Sequence, residues 1–312
     1  MSIRRSRACI VLLAAVLSSG LAFCPAAAKI GETSLGDMSP SSAAGFAPKI
    51  GVCASVVNAA LAKSAGCAYV EESVRSFLVP ERPEAEFQEK LGLLDGSPLP
   101  VLACNGFLPE ALKSVGPGAR HEEIIAFAET AFRRAKRAGV THIVFGSSGS
   151  RNIPEGFSRA EARRQFVRLL ERLGPVARTY GIVVAVEPLR RAECNFINTV
   201  AEGAAIVREA GDPSIRLLAD IYHMLCEDEG PESLLAAGPL LAHCHIAEEE
   251  GRAAPGVHCQ DFTPYLEALR RTGYAGAISF EGRFSDLAAE LPAAVRALEA
   301  QIARVAAAAG KR

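Results

Sequence analysis

The stretch VVAVEPLRRAECNFINT, residues 183–199, runs through β-branched apolar residues and stops on Glu187, with a second carboxylate, Glu193, six positions later. Three later apolar runs finish in the same way. IRLLADI reaches Asp220, LAHCHIA reaches His245 and GAISFEG reaches Glu281. Three carboxylates and one imidazole form a donor set for a hard divalent cation. Oxygen-rich ligation favours Mn²⁺ or Mg²⁺, and the imidazole keeps Co²⁺, Fe²⁺ and Zn²⁺ open. One acidic residue at the end of a strand is most often a helix cap or a loop hydrogen-bonder. Four such ends in succession need a common partner if buried, because an unpaired buried charge is costly. A metal ion is the simplest partner.

Chemistry at strand ends requires elements that bring those ends together. From residue 49 short apolar runs alternate with longer amphipathic ones. The strand candidates are KIGVCAS, YVEESV, LPVLACN, HIVFGSS, IVVAVEP, IRLLADI, LAHCHIA and GAISFEG. Helical stretches such as HEEIIAFAETAFRRAKRAG and TVAEGAAIVREAG lie between them and end on Gly, as a left-handed C-cap prefers. Strands that are almost wholly apolar are covered on both faces, so the sheet is expected to be parallel. Eight strand–helix units in one chain imply a closed (β/α)8 TIM barrel spanning 49–312, with its active site at the C-terminal strand ends. A doubly wound open sheet would want a Gly-rich phosphate loop after the first strand, and GVCASVVNAA has none.

Further polar residues gather near those ends. His223 follows Asp220 in ADIYHM, and Arg252 follows His245 in HIAEEEGRAAPG, on a loop over the barrel mouth. Each has a plainer reading, as a loop histidine bonded to a carboxylate and as a surface arginine. The same holds for Glu193. His243 shares the inward face of His245 one layer deeper and reads as a core or ligand-supporting residue. His142 opens the fourth strand, the wrong end for chemistry, while His121 and His258 read as loop residues.

The 312-residue chain is near neutral, at −1, and 49% apolar. No basic excess marks a nucleic-acid surface. Residues 1–28 have a basic start, an apolar run too short for a spanning helix, and small residues ending at Ala26-Ala27-Ala28. That layout reads as an export signal cleaved near Ala28, which would leave no integral membrane segment and place the protein in the periplasm. Arg4-Arg5 suggests the twin-arginine route, and Cys24 a lipid anchor. Residues 29–48, rich in Ser, Ala, Gly and Pro, read as a linker. Without Cys9 and Cys24 seven cysteines remain, an odd number with no disulfide-framework spacing, and most are expected to be small buried hydrophobes.

Together these segments resemble the xylose isomerase-like barrel superfamily, and within it the branch of ketose 3-epimerases and hydroxypyruvate isomerase. VEPLRRAECNFINT is similar to that branch's Glu-Pro-Leu segment, ADIYHM to its Asp-x-x-His segment, HCHIAEEEGRAAPG to its His/Gln-then-Arg loop, and YAGAISFEGRF to its final strand. The resemblance implies a divalent ion, Mn²⁺ first, held by Glu187, Asp220, His245 and Glu281. It implies that Glu187 and Glu281 are also the acid–base pair, and that His223, Arg252 and Glu193 contact substrate. Arg190 stands where relatives often have Asn. Asn105 and the loop Ser147 to Arg151 are expected to add to the pocket, with Glu71 and Glu72 as further candidates. The implied reaction is proton transfer beside the carbonyl of a small unphosphorylated hydroxy-carbonyl compound through an enediolate, by an enzyme that commonly forms homo-oligomers. Two alternatives stand beside it: an inosose-type dehydratase on the same site, and an exported sugar-binding protein without turnover. An apurinic endonuclease relative would need early histidines, and none precedes His121.

Overall fold

The structure, a computed structural model, describes residues 46–309. The expected export signal, Arg4-Arg5, Cys24 and most of the expected linker lie outside those residues. Eight strands, β1 (Lys49–Cys53), β2 (Tyr69–Ser73), β3 (Val101–Asn105), β4 (His142–Phe145), β5 (Val183–Val186), β6 (Ile215–Asp220), β7 (Leu241–Ile246) and β8 (Ala277–Phe280), pair in parallel and in chain order, and β8 closes on β1. Each falls within one of the eight runs read from the sequence. The helices are α1 (Ala59–Ala65), α2 (Glu84–Gly92), α3 (His121–Ala138), α4 (Ser148–Arg151), α5 (Arg159–Tyr180), α6 (Val200–Ala210), α7 (Ile221–Cys226), α8 (Glu232–Ala237), α9 (Thr263–Arg271) and α10 (Leu287–Ala309). Among the described residues no helix is long and apolar enough to cross a membrane.

Local chemistry explains where the elements begin and end. In α3, Ile124, Phe127, Ala128, Ala131, Phe132 and Ala135 recur at helical spacing on the buried face. Glu122 and Glu123 occupy its first turn and Lys136 and Arg137 its last, complementing the helix dipole. Gly139, left-handed at φ 75°, ends it by donating to the carbonyls of Ala135 and Lys136. Ser158 and Thr199 cap α5 and α6 by accepting from the amides of Glu161 and Glu202. His121, expected in a loop, is instead the first residue of α3, its Nε2 2.9 Å from the Ser114 carbonyl oxygen.

Alternate strand residues face inward and outward, so two separate cores form. Outward residues such as Val184, Val186, Leu217, Ala219, Ile246, Ile278 and Phe280 join the helices in one large cluster. Val144, Ala185 and Leu218 form a second, inside the barrel. On the opposite side of that interior the inward residues are polar: Tyr69, Glu71, His243, His245 and Ser279, all buried. Barrel interiors are usually filled by branched apolar side chains. Here half of the interior is a hydrogen-bonded network.

Gly51 makes room for it. A β-carbon there would overlap the Tyr69 ring, whose hydroxyl lies 2.7 Å from Ser279 Oγ. Gly51→Ala therefore has to displace a buried, hydrogen-bonded tyrosine. It is expected to lower stability by about 1–3 kcal/mol, as overpacking typically does, read as a lower urea midpoint at unchanged slope.

Candidate active site

Strand register sets the four expected ligands at one height. Asp220 pairs with His245 across β6 and β7, and His245 with Ser279 across β7 and β8. Glu187 and Glu281 each stand one residue past their strand. The Glu187 amide donates to the Phe145 carbonyl at 3.3 Å and the Glu281 amide to that of Ile246 at 3.2 Å, so each ladder extends by one residue. The result is one cluster of Glu187, Asp220, His245 and Glu281 at the barrel mouth, with one donor atom from each lying within 4.8 Å of the others. Two ligands about 2.1–2.4 Å from a common ion cannot be much further apart than this, so the set fits a single divalent cation.

His245 is held from both sides. Its Nδ1 lies 3.2 Å from both Glu187 Oε1 and Glu281 Oε2. Its Nε2 lies 3.0 Å from Glu71 Oε1. Glu71 Oε2 takes His243 Nε2 at 2.8 Å and accepts the Ser279 hydroxyl at 2.7 Å. A carboxylate behind a histidine fixes its tautomer and leaves the other nitrogen for a metal. Cys53, half-buried at the end of β1, completes a second close group with Glu71 and His245. Burial, and then the Glu71 charge, push its thiol well up. Glu71, engaged by two histidines and a serine, supports His245 from below and does not line the mouth. Glu72 is also structural: it accepts from the Val56 amide at 2.6 Å.

The charged groups of the cluster act on one another. Burial pulls His245 down, but Glu71 and Glu281 outweigh it and hold the imidazole well above its ordinary value. Burial pushes Glu71 up, and the His245 and His243 charges more than reverse that. Asp220 is raised to about 7, first by burial and then by the Glu281 charge. Glu187 is also raised, chiefly by burial. Glu281 is lowered: burial pushes it up, but His245 and Arg252 prevail. The two glutamates thus have opposite tendencies.

Arg252 joins the cluster from above. Its Nη2 lies 2.5 Å from Glu281 Oε2 and 3.3 Å from Asp220 Oδ2, and its Nε donates to the Glu281 carbonyl at 2.9 Å. Its guanidinium lies over the Tyr222 ring at 4.6 Å, and Arg190 lies over the same ring at 5.1 Å. Glu193 connects the two, with Oε1 2.8 Å from Arg190 Nε and 3.7 Å from Arg252 Nη1. Asn105 donates to Glu281 Oε1 at 3.0 Å. His223 sits inside α7, not in a loop, with Nε2 3.4 Å from Asp220 Oδ2. Burial and then Arg252 lower it to about 3, leaving a neutral imidazole. Asp220 serves two purposes: Oδ1 caps α7 by accepting from the Tyr222 amide at 2.9 Å, and Oδ2 faces the cluster.

One residue here escaped the sequence reading, and another lies elsewhere than expected. Glu248 looks like the first of three solvated glutamates in HIAEEEG, yet it is fully buried. Its carboxylate accepts the amides of Gly256, His258 and Gln260 at 2.7, 2.5 and 3.2 Å, folding the loop that carries Arg252. Arg151, expected in the pocket, is instead fully buried beneath it. Outside the barrel a groove of about 370 Å³ is lined by Arg159, Arg191, Asn195, Asn198 and Glu202. Its arginines are already engaged, Arg159 by Glu202 and Arg191 by Glu227, and it holds no acid–base pair.

Residues 59–302 match the family described as xylose isomerase-like TIM barrel. The chain belongs to that family. Among xylose isomerase-like relatives, an L-ribulose 3-epimerase of Methylomonas sp. is 36% identical over 133 residues, 42% of this chain and 46% of the relative. A 3-dehydro-D-guloside 4-epimerase of Escherichia coli is 37% identical over 118 residues, 38% of this chain and 44% of the relative. The chain thus spans less than half the length of these two curated relatives in the matched stretches. The solved structure of a D-allulose 3-epimerase from Methylomonas sp. superposes with a TM-score of 0.69 at 25% identity, over 81% of this chain and 98% of that one.

Glu71→Gln should weaken Mn²⁺ binding by about 10–100-fold, the usual cost of losing a ligand's outer carboxylate. Calorimetric titration checks it, and unchanged affinity would mean that Glu71 does not tune His245. Gly146→Ala tests Glu187 similarly, because the added methyl would overlap Glu187 Oε2. It is expected to impair Mn²⁺ binding while leaving the circular dichroism spectrum unchanged.

Proposed function

We propose that this protein is a divalent-metal-dependent sugar isomerase or epimerase. It moves a proton on the carbon beside the carbonyl of a small unphosphorylated ketose or related hydroxy-carbonyl compound. The observation that carries the reading is the pair Glu187 and Glu281, both against His245 Nδ1 in one cluster with Asp220. The epimerases among the relatives support the reaction class.

Glu187, Asp220, His245 and Glu281 would hold the ion, with Mn²⁺ expected first. Bound there, a divalent cation acts as a Lewis acid on substrate oxygens and makes the neighbouring C–H more acidic. The protein's own groups do the rest. One glutamate takes the proton from one face of the substrate carbon, and the other returns a proton to the opposite face, giving epimerisation. Return to the adjacent carbon gives aldose–ketose isomerisation. Arg252, already on Glu281, and neutral His223 would hold substrate oxygens where charge develops. Asn105 fixes Glu281 Oε1, so this carboxylate keeps one orientation through the proton transfer. Glu193 would meet a hydroxyl further along the substrate. We also propose that the chain is exported through residues 1–28.

In D₂O, a panel of ketoses and hydroxypyruvate incubated with the Mn²⁺-loaded protein should gain deuterium beside the carbonyl, seen by NMR. Chelation should abolish exchange, and Glu281→Gln should cost about 10²–10⁴-fold, the usual contribution of a positioned acid–base group. Full exchange by the Glu281→Gln variant would remove Glu281 from the mechanism.

A further inference from the structure

Arg151 closes α4, the four-residue helix that follows β4. Its side chain is fully buried, and it is the bulkiest such side chain among the described residues. Nη1 donates to the Phe145 carbonyl at 3.0 Å. Nε and Nη2, the edge with which a guanidinium usually grips a carboxylate, have no acceptor. Among the described residues no carboxylate forms an ion pair with it. A buried, unpaired cation is unfavourable, and an apolar side chain of similar reach could fill the same space without that cost. Space-filling therefore does not account for an arginine here.

Its single anchor lies at a decisive place. The Phe145 carbonyl also accepts the Glu187 amide at 3.3 Å. The next residue, Gly146, has no side chain, and Glu187 Oε2 occupies the space a β-carbon would take. The Arg151 guanidinium and the Glu187 carboxylate thus bracket one peptide, Phe145–Gly146. Arg151 cannot easily swing away, because its neighbours are laced to the loop after β5. Asn152 Oδ1 accepts the Asn195 amide at 2.9 Å, and Asn195 Oδ1 accepts the Ile153 amide at 2.8 Å. Asn195 Nδ2 also donates to the Ile153 carbonyl at 2.9 Å.

We propose that Arg151 is a positioning residue for Glu187. By holding the Phe145 carbonyl it fixes the height at which Glu187 leaves β5. This rests on the reading of Glu187 as one of the two proton-moving groups and as a ligand of the ion.

The test is chemical rescue of Arg151→Ala in the full-length chain, by guanidinium at millimolar concentration with urea as the neutral control. Two readouts are taken: Mn²⁺ affinity by electron paramagnetic resonance, and turnover on whichever compound exchanges deuterium with the wild type. The variant should lose about 100-fold in kcat, as a misplaced reacting group does, with KM near the wild-type value. It should also bind Mn²⁺ more weakly, and guanidinium but not urea should restore both properties. Equal rescue by urea would show that a guanidinium is not required and overturn the proposal, as would wild-type behaviour of the unrescued variant. If Arg151→Ala does not fold, Arg151→Lys and Arg151→Met take its place: partial activity with lysine and loss with methionine support the role, and equal activity overturns it. If the wild type exchanges no compound, the functional reading fails on its own, and the Mn²⁺ readout alone decides whether Arg151 positions Glu187.

Discussion

The structure depends on one imidazole held from both sides. His245 faces Glu187 and Glu281 through one nitrogen and Glu71 through the other. With an ion bound, the same Nδ1 would become a ligand and the bond to Glu71 would keep the ring in place. Protonation and metal binding would then compete for a single atom, which would link ion uptake to proton release. The barrel's job is to keep that ring and its partners at one height, and the parallel register of β6, β7 and β8 does so.

Such a ring cannot sit on an ordinary barrel core. Glu71 has to be buried to reach it, and a buried carboxylate must be satisfied, so His243, Ser279 and Tyr69 line up beneath. Gly51 follows from the tyrosine. The polar half of the interior is a single chain of requirements that begins at His245, and the apolar half, Val144, Ala185 and Leu218, supplies the packing that this network lacks. A hydrogen-bonded core of this kind gains orientation more than stability, because each donor and acceptor admits few alternatives.

The barrel was legible because its signal is periodic and repeated. Eight apolar runs, separated by amphipathic stretches closed by glycine, leave little topological freedom, and all eight strands lie where the runs predict. The four clustered donors were legible for a related reason, since a strand end is the one place where an acidic residue breaks an apolar run. Residues that act through the backbone left no such signal. Glu248 has the same neighbours as a solvated glutamate, and only the fold shows it receiving three amides. Arg151 read as a pocket residue because the motif around it is polar, and burial is set by packing of α4 against distant loops. Glu71 and Glu72 were adjacent candidates of equal standing. Strand alternation separates them: one faces the barrel interior and the other the Val56 amide.

The Glu248 clamp has a consequence for how this barrel can change over time. All three groups it receives are main-chain amides, so the clamp reads the path of the loop and not its side chains. Within 249–260, positions other than Arg252, buried Ala254 and the left-handed Gly251, Gly256 and Cys259 can be replaced by drift, provided that the backbone still presents those three N–H groups and none of their positions becomes proline. Arg252 would keep its place over Glu281 throughout. The rim of the mouth is therefore free to acquire new contacts for new substrates while the groups beneath it stay where they are.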